Sequence, residues 1–398
     1  MLSSAKWSVE VGDCREVMRG LADASVDAVV TDPPYELGFM GKRWDASGVA
    51  YDVDVWREAL RVAKPGAFLL AFGGSRTYHR LTCAIEDAGW EIRDCIMWLY
   101  GSGFPKSHDV SKAIDKAAGA KRERIRATGN LHNHANMNDD AWTNIGADVA
   151  MMDSTVPSTD LARKWYGWGT ALKPAHEPIV VARKPLCGTV AANFERHGCG
   201  GLNIDACRVG TDGGTTKGNP PKLKSNGVYG DGINGACDIV PLNAGRWPAN
   251  VIHDGSEEVV GLFPQTTSGK PMNRMHTDPG RNVASGASKG GEYFHSGFGD
   301  SGSAARFFYC AKASKKDRGE GNIHATVKPT ALMRWLVRLV TPPNGLVLDP
   351  FTGSGSTGKA CALEGFRFVG IEQSAEYAEI ARARIAAVNG GLFAEVTA

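Results

Sequence analysis

Leu346-Val-Leu-Asp-Pro-Phe-Thr-Gly-Ser-Gly-Ser-Thr-Gly358 is the stretch on which the fold turns. Its apolar opening reads as a buried strand, its glycine-rich centre as a tight turn, and the residues after it as a helix. Glycines at 353, 355 and 358 let the backbone pass close to a ligand and aim N–H groups at it. A strand–loop–helix unit of this kind places a nucleotide-like ligand at the carboxyl end of a strand.

The class of ligand follows from two neighbours of the loop. Gly353 to Lys359 satisfies the spacing of a phosphate loop, which would make the chain an ATPase. However, Ala360 stands where magnesium binding needs Ser or Thr, and Asp349 sets a carboxylate where a polyphosphate would be repelled. A cationic ligand suits the loop better. S-adenosylmethionine, with a sulfonium and an α-ammonium, is such a ligand. Phe366 to Ile371 reads as the next strand and ends in Glu372, about twenty positions on, where an acceptor for a ribose diol is expected.

The same alternation of strands and helices extends outward from this unit. Leu332, Trp335, Leu336 and Leu339 share one face of a helix over Ala331 to Val340, and Ala375 to Val388 reads as a last helix. In the first third, Val26 to Val30, Phe68 to Phe72 and Ile92 to Leu99 read as strands, and Val55 to Ala63 and Tyr78 to Ala88 as helices. Lys64-Pro65-Gly66 and Gly89 read as turns. Between these ends the chain becomes polar from about Ala120 to Asp160, then glycine-rich from about Gly188 to Gly321. Runs such as Thr211 to Asn219 and Ser285 to Gly291 have too little apolar content to build a core. The class is α/β, and the middle reads as an irregular insertion.

A second motif, Asp32-Pro33-Pro34-Tyr35, follows the strand that begins at Val26. A Pro-Pro pair can simply stop a strand, but here it also holds the backbone extended behind a carboxylate. The result is a corner rich in acceptors: the Asp32 carboxylate and the Pro33 carbonyl can each take a hydrogen from an amino group, while Tyr35 offers a flat face to a planar base. Acceptors on both N–H bonds of an aromatic amine draw its delocalised lone pair toward the geometry that alkylation needs.

The two motifs in this order resemble those of the DNA amino-methyltransferases of the permuted, or beta, arrangement, in which a catalytic motif, a target-recognition region and a cofactor motif follow one another. The resemblance covers roughly residues 7–118, 165–190 and 322–388. It implies a Rossmann-like, seven-stranded, mainly parallel sheet of the class I methyltransferase kind, with a target-recognition region inserted. The corresponding segments are 1–118 for the catalytic half, 119–164 for a polar loop, 165–190 for a late core strand, 191–321 for target recognition and 322–398 for the cofactor half. By resemblance, Asp32, Pro33, Pro34 and Tyr35 carry catalysis. Asp13, within Val11-Gly-Asp-Cys14, meets the cofactor's adenine. Lys328 and Pro329, within His324 to Thr330, close over the cofactor, Phe351 packs against it, and Gly353 and Gly355 form its loop, with Asp349 at the loop entrance and Glu372 as the acceptor for the ribose diol. Lys173 to Pro178, leading into Ile179 to Arg183, resembles a late strand of the same sheet.

The implied reaction is direct methyl transfer from S-adenosylmethionine to the N6 of a flipped-out adenine in double-stranded DNA. Asp at position 32 leans toward adenine, because Ser is commoner there in enzymes of cytosine N4, the nearest alternative. Neither Cys14 nor Cys310 lies in the Pro-Cys setting that methylation of cytosine C5 would need. A phosphate-loop ATPase, a methyltransferase of RNA or protein and a non-catalytic DNA-binding module are the rival classes.

Composition restricts partners. The 398 residues are 42% hydrophobic and 22% charged, within ordinary globular usage. Lys and Arg number 45 against 43 Asp and Glu, so the net charge of +2 carries no global signature of nucleic acid, and DNA contact has to use local patches. Lys106, Lys112, Lys116, Lys121, Arg122, Arg124 and Arg126 form one such set, which Asp109, Asp115 and Glu123 could turn into a solvated helix face. Lys312, Lys315, Lys316 and Arg318 form another. Trp165, Tyr166 and Trp168 read as aromatic packing under a loop, with intercalation as the alternative, and His132 and His134 as exposed. Nine cysteines lack a CxxC pair, and His197, Cys199 and Cys207 lack the spacing of a zinc site, so no metal is expected. No apolar run suits a signal peptide or a membrane span, which leads to a cytoplasmic expectation. A homodimer is compatible with these features; no separate region large enough for a nuclease domain is evident, so a stand-alone methyltransferase is expected, and a restriction partner is not evident.

Overall fold

The computed structural model describes residues 6–38, 43–103, 107–124, 155–210, 245–267, 272–275, 293–296, 301–312, 314, 317–319, 321–324 and 326–392. They divide into two compact units, 1–101 with 176–398, and 102–175. Within the first unit the chain begins β1 (Trp7–Val11), α1 (Cys14–Arg19), β2 (Val26–Thr31), α2 (Val53–Val62), β3 (Ala63–Phe72), α3 (Tyr78–Asp87) and β4 (Glu91–Leu99). The second unit holds α4 (Val110–Ala117), a two-stranded ribbon of β5 (Glu123–Arg124) and β6 (Thr155–Val156), and α5 (Asp160–Lys164). The first unit resumes with β7 (His176–Arg183), α6 (Val190–His197), β8 (Val251–His253) and α7 (Glu257–Val260). Two small ribbons follow, β9 (Gln265–Thr267) with β12 (Ser301–Ser303) and β10 (Met272–Met275) with β11 (Tyr293–Ser296). The chain then runs β13 (Tyr309–Cys310), α8 (Thr330–Val340), β14 (Leu346–Asp349), α9 (Ser356–Glu364), β15 (Arg367–Glu372) and α10 (Ala375–Leu392).

One sheet organises the first unit, in the order β1-β15-β14-β2-β3-β7-β4-β8-β13. Every adjacent pair is parallel except the two that β7 makes with β3 and β4. Strands β14 and β15 from the end of the chain lie between β1 and β2 from its beginning, so neither end completes the sheet alone. The first seven strands of this order match the sheet expected from the sequence. Strands β8 and β13, short and parallel, extend it to nine and come from the stretch expected to be an insertion. Residues 102–118, expected with the catalytic half, group instead with 155–175.

The central strands β14, β2 and β3 are buried on both faces because helices cover both, as parallel sheets require. Side chains alternate across β2 and β3: Ala28, Val30, Phe68, Leu70 and Phe72 enter one core with Leu332, Trp335 and Leu336 of α8. Val29, Leu69 and Ala71 enter the other with Val55, Trp56 and Ala59 of α2. Lys64-Pro65-Gly66, expected as a turn, lies inside β3 as a bulge between the pairs Val26–Ala63 and Ala28–Phe68. Gly66 has φ +84° there, and a Cβ on it would stand 2.4 Å from Asn193 Nδ2, so only glycine fits.

Candidate active site

The functional side chains converge on the edge formed by the carboxyl ends of the parallel strands. In sheet order, β1 leads to Asp13, β15 ends at Glu372, β14 runs into the 350–355 loop and β2 leads into Asp32. Next to them, β7 runs in reverse, so its first residues, His176 and Glu177, lie opposite the last of β4, Leu99 and Trp98. Open α/β sheets bind ligands at this edge.

Asp32 sits at the centre of a charged cluster. Lys328 Nζ donates to Asp32 Oδ2 at 2.6 Å and to the Tyr35 hydroxyl at 3.1 Å, and it lies 3.4 Å from Glu177 Oε2. The Tyr35 hydroxyl in turn donates to Glu177 Oε2 at 2.9 Å, which fixes the plane of its ring. Lys328 is 8% exposed. Burial acts to lower its pKa, but Asp32 and Glu177 outweigh that effect and the net displacement is upward, so the ammonium stays charged. Burial first, and then the negative Asp32 and Glu177, hold the Tyr35 phenol well above its ordinary pKa. The other oxygen of Asp32, Oδ1, is shielded from water and accepts no hydrogen bond. A carboxylate oxygen in that position is costly unless something donates to it.

Beside this cluster lies a second set of groups. Gly353 and Gly355, both with positive φ, shape the loop after β14, and Gly355 caps the start of α9. The Gly353 N–H donates to Glu372 Oε2 at 2.8 Å, and the Ser374 N–H to Glu372 Oε1 at 2.8 Å. Phe351 packs against Trp56 with ring centroids 6.1 Å apart. Asp13 caps α1, and its carboxylate is bound by Arg15, which lowers its pKa to about 2. His324 stands over the loop: a Cβ on Gly353 would lie 3.1 Å from His324 Nε2.

All of the site residues read from the sequence lie at this edge, but Asp349 does not present a free carboxylate there. Asp349 is 1% exposed and faces inward, accepting from Thr31 Oγ1 at 2.6 Å and from the Phe351 N–H at 3.1 Å. Burial raises its pKa to about 6, with Thr31 and Thr357 pulling the other way. It braces the loop from beneath and fastens β14 to β2. Lys328 reaches the Asp32 corner, while Pro329 is buried at the start of α8. Pro33 is buried and Pro34 half-buried, holding the corner rigid.

Glu177 was not singled out by the sequence. The signal available was a carboxylate at the mouth of an apolar strand, in His176-Glu177-Pro178, but its relevance depends on β7 running in reverse.

The second unit uses several of its charges internally. Asp115 is fully buried and accepts from the Ser158 and Thr159 N–H groups and the Thr159 hydroxyl, with Arg122 3.1 Å away. Asp115 and Arg122 therefore pin this unit together rather than form a solvated face or a DNA contact. Lys116 and Lys121 are exposed. Trp165 meets Trp168 edge-on at 5.0 Å, while Tyr166 and Trp168 are 65% and 60% exposed, so these two do not pack under a loop. Lys106, Arg126, His132, His134, Lys315 and Lys316 lie outside the described residues, as do Thr211 to Asn219 and Ser285 to Gly291, and the Arg124 side chain is not described. Among the described residues no group of three or more potential metal ligands gathers, and no helix is long and apolar enough to cross a membrane.

With this geometry in place, comparison with known proteins assigns the class. The model of the DNA methylase family matches residues 26–383, and the chain belongs to that family. Enzymes of this family use S-adenosylmethionine. Among curated relatives, the type II methyltransferase M2.DpnII of Streptococcus pneumoniae is 42% identical over 66 residues, 17% of this chain and 25% of that protein. Another methylase relative, from Escherichia coli K12, is 45% identical over 65 residues, 16% of this chain and 29% of its own length. The chain thus matches less than a third of each of these relatives. Among solved structures, M1.HpyAVI in complex with S-adenosylmethionine is 16% identical, covering 95% of this chain and 98% of its own, with a TM-score of 0.40. The cytosine-N4-specific PvuII DNA methyltransferase is 12% identical, covering 96% and 87%, with a TM-score of 0.43.

Proposed function

We propose that the chain transfers a methyl group from S-adenosylmethionine to the exocyclic amino nitrogen of a base in DNA, with N6 of adenine as the target. The observation that carries this reading is the Asp32 corner: a shielded carboxylate oxygen without a donor, at the tip of β2, next to the loop at the tip of β14. An incoming amino group supplies the missing donor. Asp32 then holds one N–H, and the Pro33 carbonyl is the natural acceptor for the second, which favours a pyramidal nitrogen.

The cofactor's donors and acceptors find complements in the loop. Backbone around Gly353 and Gly355 suits its methionine end, Glu372 its ribose diol, and Asp13 and Phe351 its adenine. When bound, the cofactor supplies an electrophilic methyl group on a sulfonium. Tyr35, its ring fixed through Glu177, offers a stacking face worth roughly 1–3 kcal/mol, comparable to the few kcal/mol that extrusion of a base costs.

Aspartate at position 32 supports adenine, and N4 of cytosine is the second reading, since both amines present the same N–H pair. Double-stranded DNA is the proposed substrate. The test is to incubate unmethylated DNA of varied sequence with methyl-labelled S-adenosylmethionine, digest it to nucleosides and identify the product by mass spectrometry. N6-methyladenine is expected. N4-methylcytosine would keep the mechanism and change the base, and label in RNA or protein but not DNA would overturn the reading.

A further inference from the structure

The Lys328 ammonium is buried within the Asp32 corner. An ammonium has three hydrogens. Here one is given to Asp32 Oδ2 at 2.6 Å and one to the Tyr35 hydroxyl at 3.1 Å, and the third has only the longer approach to Glu177 at 3.4 Å. The same ammonium lies 4.8 Å from the Phe72 ring centroid and 5.2 Å from that of Tyr35. Of the ionisable groups facing it, the carboxylates Asp32 and Glu177 favour its charge, while Tyr35 and Tyr100 are phenols whose pKa values are pushed upward, so both stay neutral. One carboxylate therefore presents two features side by side: an oxygen, Oδ1, in need of a donor, and on Oδ2 a held cation that can only donate.

That pair complements a particular molecular edge. In adenine the N6 amino group and N1 are attached to the same carbon, and in cytosine the N4 amino group and N3 are; each edge offers a donor beside an acceptor. The ring nitrogen is also the chemical rival of the amine. Its lone pair lies in the ring plane and is available, whereas that of the amine is delocalised into the ring. Left uncovered, the ring nitrogen would attack the methyl carbon, and the carbon–sulfur bond would break with its electron pair going to sulfur.

We propose that Lys328 donates a hydrogen bond to the ring nitrogen adjacent to the reacting amino group, covering its lone pair so that transfer goes to the exocyclic nitrogen, with Glu177 as the positioning residue that holds Lys328. This rests on the amino-methyltransferase reading above. It moves Lys328 from the cofactor side of the site, where its motif suggested it, to the base.

The test pairs a residue with a substrate atom. Once the base methylated by the wild type is mapped, duplexes are made with adenine or 1-deazaadenine at that position, or with 3-deazacytosine if the base is cytosine, each opposite an abasic site so that loss of the ring nitrogen does not also break a base pair and ease extrusion. Their affinities are measured for wild type and Lys328→Met in the presence of S-adenosylhomocysteine. The wild type is expected to bind the natural base roughly 10-fold or more tightly than the deaza analogue, as befits a hydrogen bond from a charged donor. Lys328→Met should bind the two alike. A neutral-pH digest of DNA treated with Lys328→Met should contain ring-methylated nucleoside at a share at least about 10-fold above wild type. An equal preference in wild type and variant overturns the inference and leaves the methyltransferase reading standing. A wild-type ratio near one does the same without recourse to any variant. Absence of exocyclic product from the wild type overturns both.

Discussion

Lys328 and Asp32 are 296 positions apart in the chain and 2.6 Å apart in space. The contact is made possible by β14, whose pairing with β2 brings the end of the chain against its beginning. Thr31 and Asp349, 318 positions apart, make a parallel contact just below it. The reacting corner and the cofactor loop are thus fastened to each other by side chains as well as by the sheet.

Glu177→Gln is expected to lower the methyl-transfer rate about tenfold, the loss of somewhat over 1 kcal/mol of positioning, while leaving affinity for S-adenosylmethionine unchanged. Removing this negative charge also lowers the pKa of Lys328, so the alkaline limb of the rate profile should move to lower pH in the variant. Rate–pH profiles with paired cofactor titrations check both, and an unmoved alkaline limb would contradict the role given to Glu177.

Gly355→Ala addresses the loop. Gly355 has φ +80°, and a Cβ there would stand 2.9 Å from Ala381 Cα and Cβ, so both conformation and space oppose a side chain. The expected cost is roughly 1–3 kcal/mol of stability with a weakened cofactor site. Urea unfolding and calorimetric titration with S-adenosylmethionine measure the two effects, and full retention of both would show that α10 yields there.

Much of this arrangement could be read from residues 26–35 and 346–372, because strand, turn and helix signals there are local. The helices over 53–62, 330–340 and 375–392 were legible for the same reason, as periodic apolar faces. What could not be read depends on pairing across long separations. Val251–His253 and Tyr309–Cys310 are too short to signal strands, and become strands only by docking on β4 and on each other. Lys64-Pro65-Gly66 has the composition of a turn, but the pairing of β2 with β3 on either side of it converts it into a bulge. Asp349 looked like a carboxylate facing a ligand. Its inward orientation follows from Thr31, on a strand whose proximity the local sequence does not encode.

The buried Asp349 carboxyl gives a pH prediction. Its pKa is about 6 in the folded chain, against an ordinary value of 3.8. Below 3.8 it is protonated whether the chain is folded or not. Between 3.8 and about 6 the folded state holds more proton than the unfolded one, so stability falls as pH rises, and above 6 the loss is complete, roughly 3 kcal/mol. Asp349→Asn keeps the acceptor for Thr31 without that loss. Urea unfolding at pH 4 and pH 7.5 should show the variant gaining on wild type by up to that amount at the higher pH. A gap independent of pH would contradict the assignment.

The most direct test of the central claim is methyl transfer to DNA by Asp32→Ala beside wild type, with S-adenosylmethionine affinity measured for both. The account predicts an unchanged cofactor affinity and transfer slowed at least about 100-fold, the order expected when a group acting on the reacting centre is removed. Transfer at the wild-type rate with the cofactor bound would contradict it, because the Asp32 corner would then not be where the amine reacts.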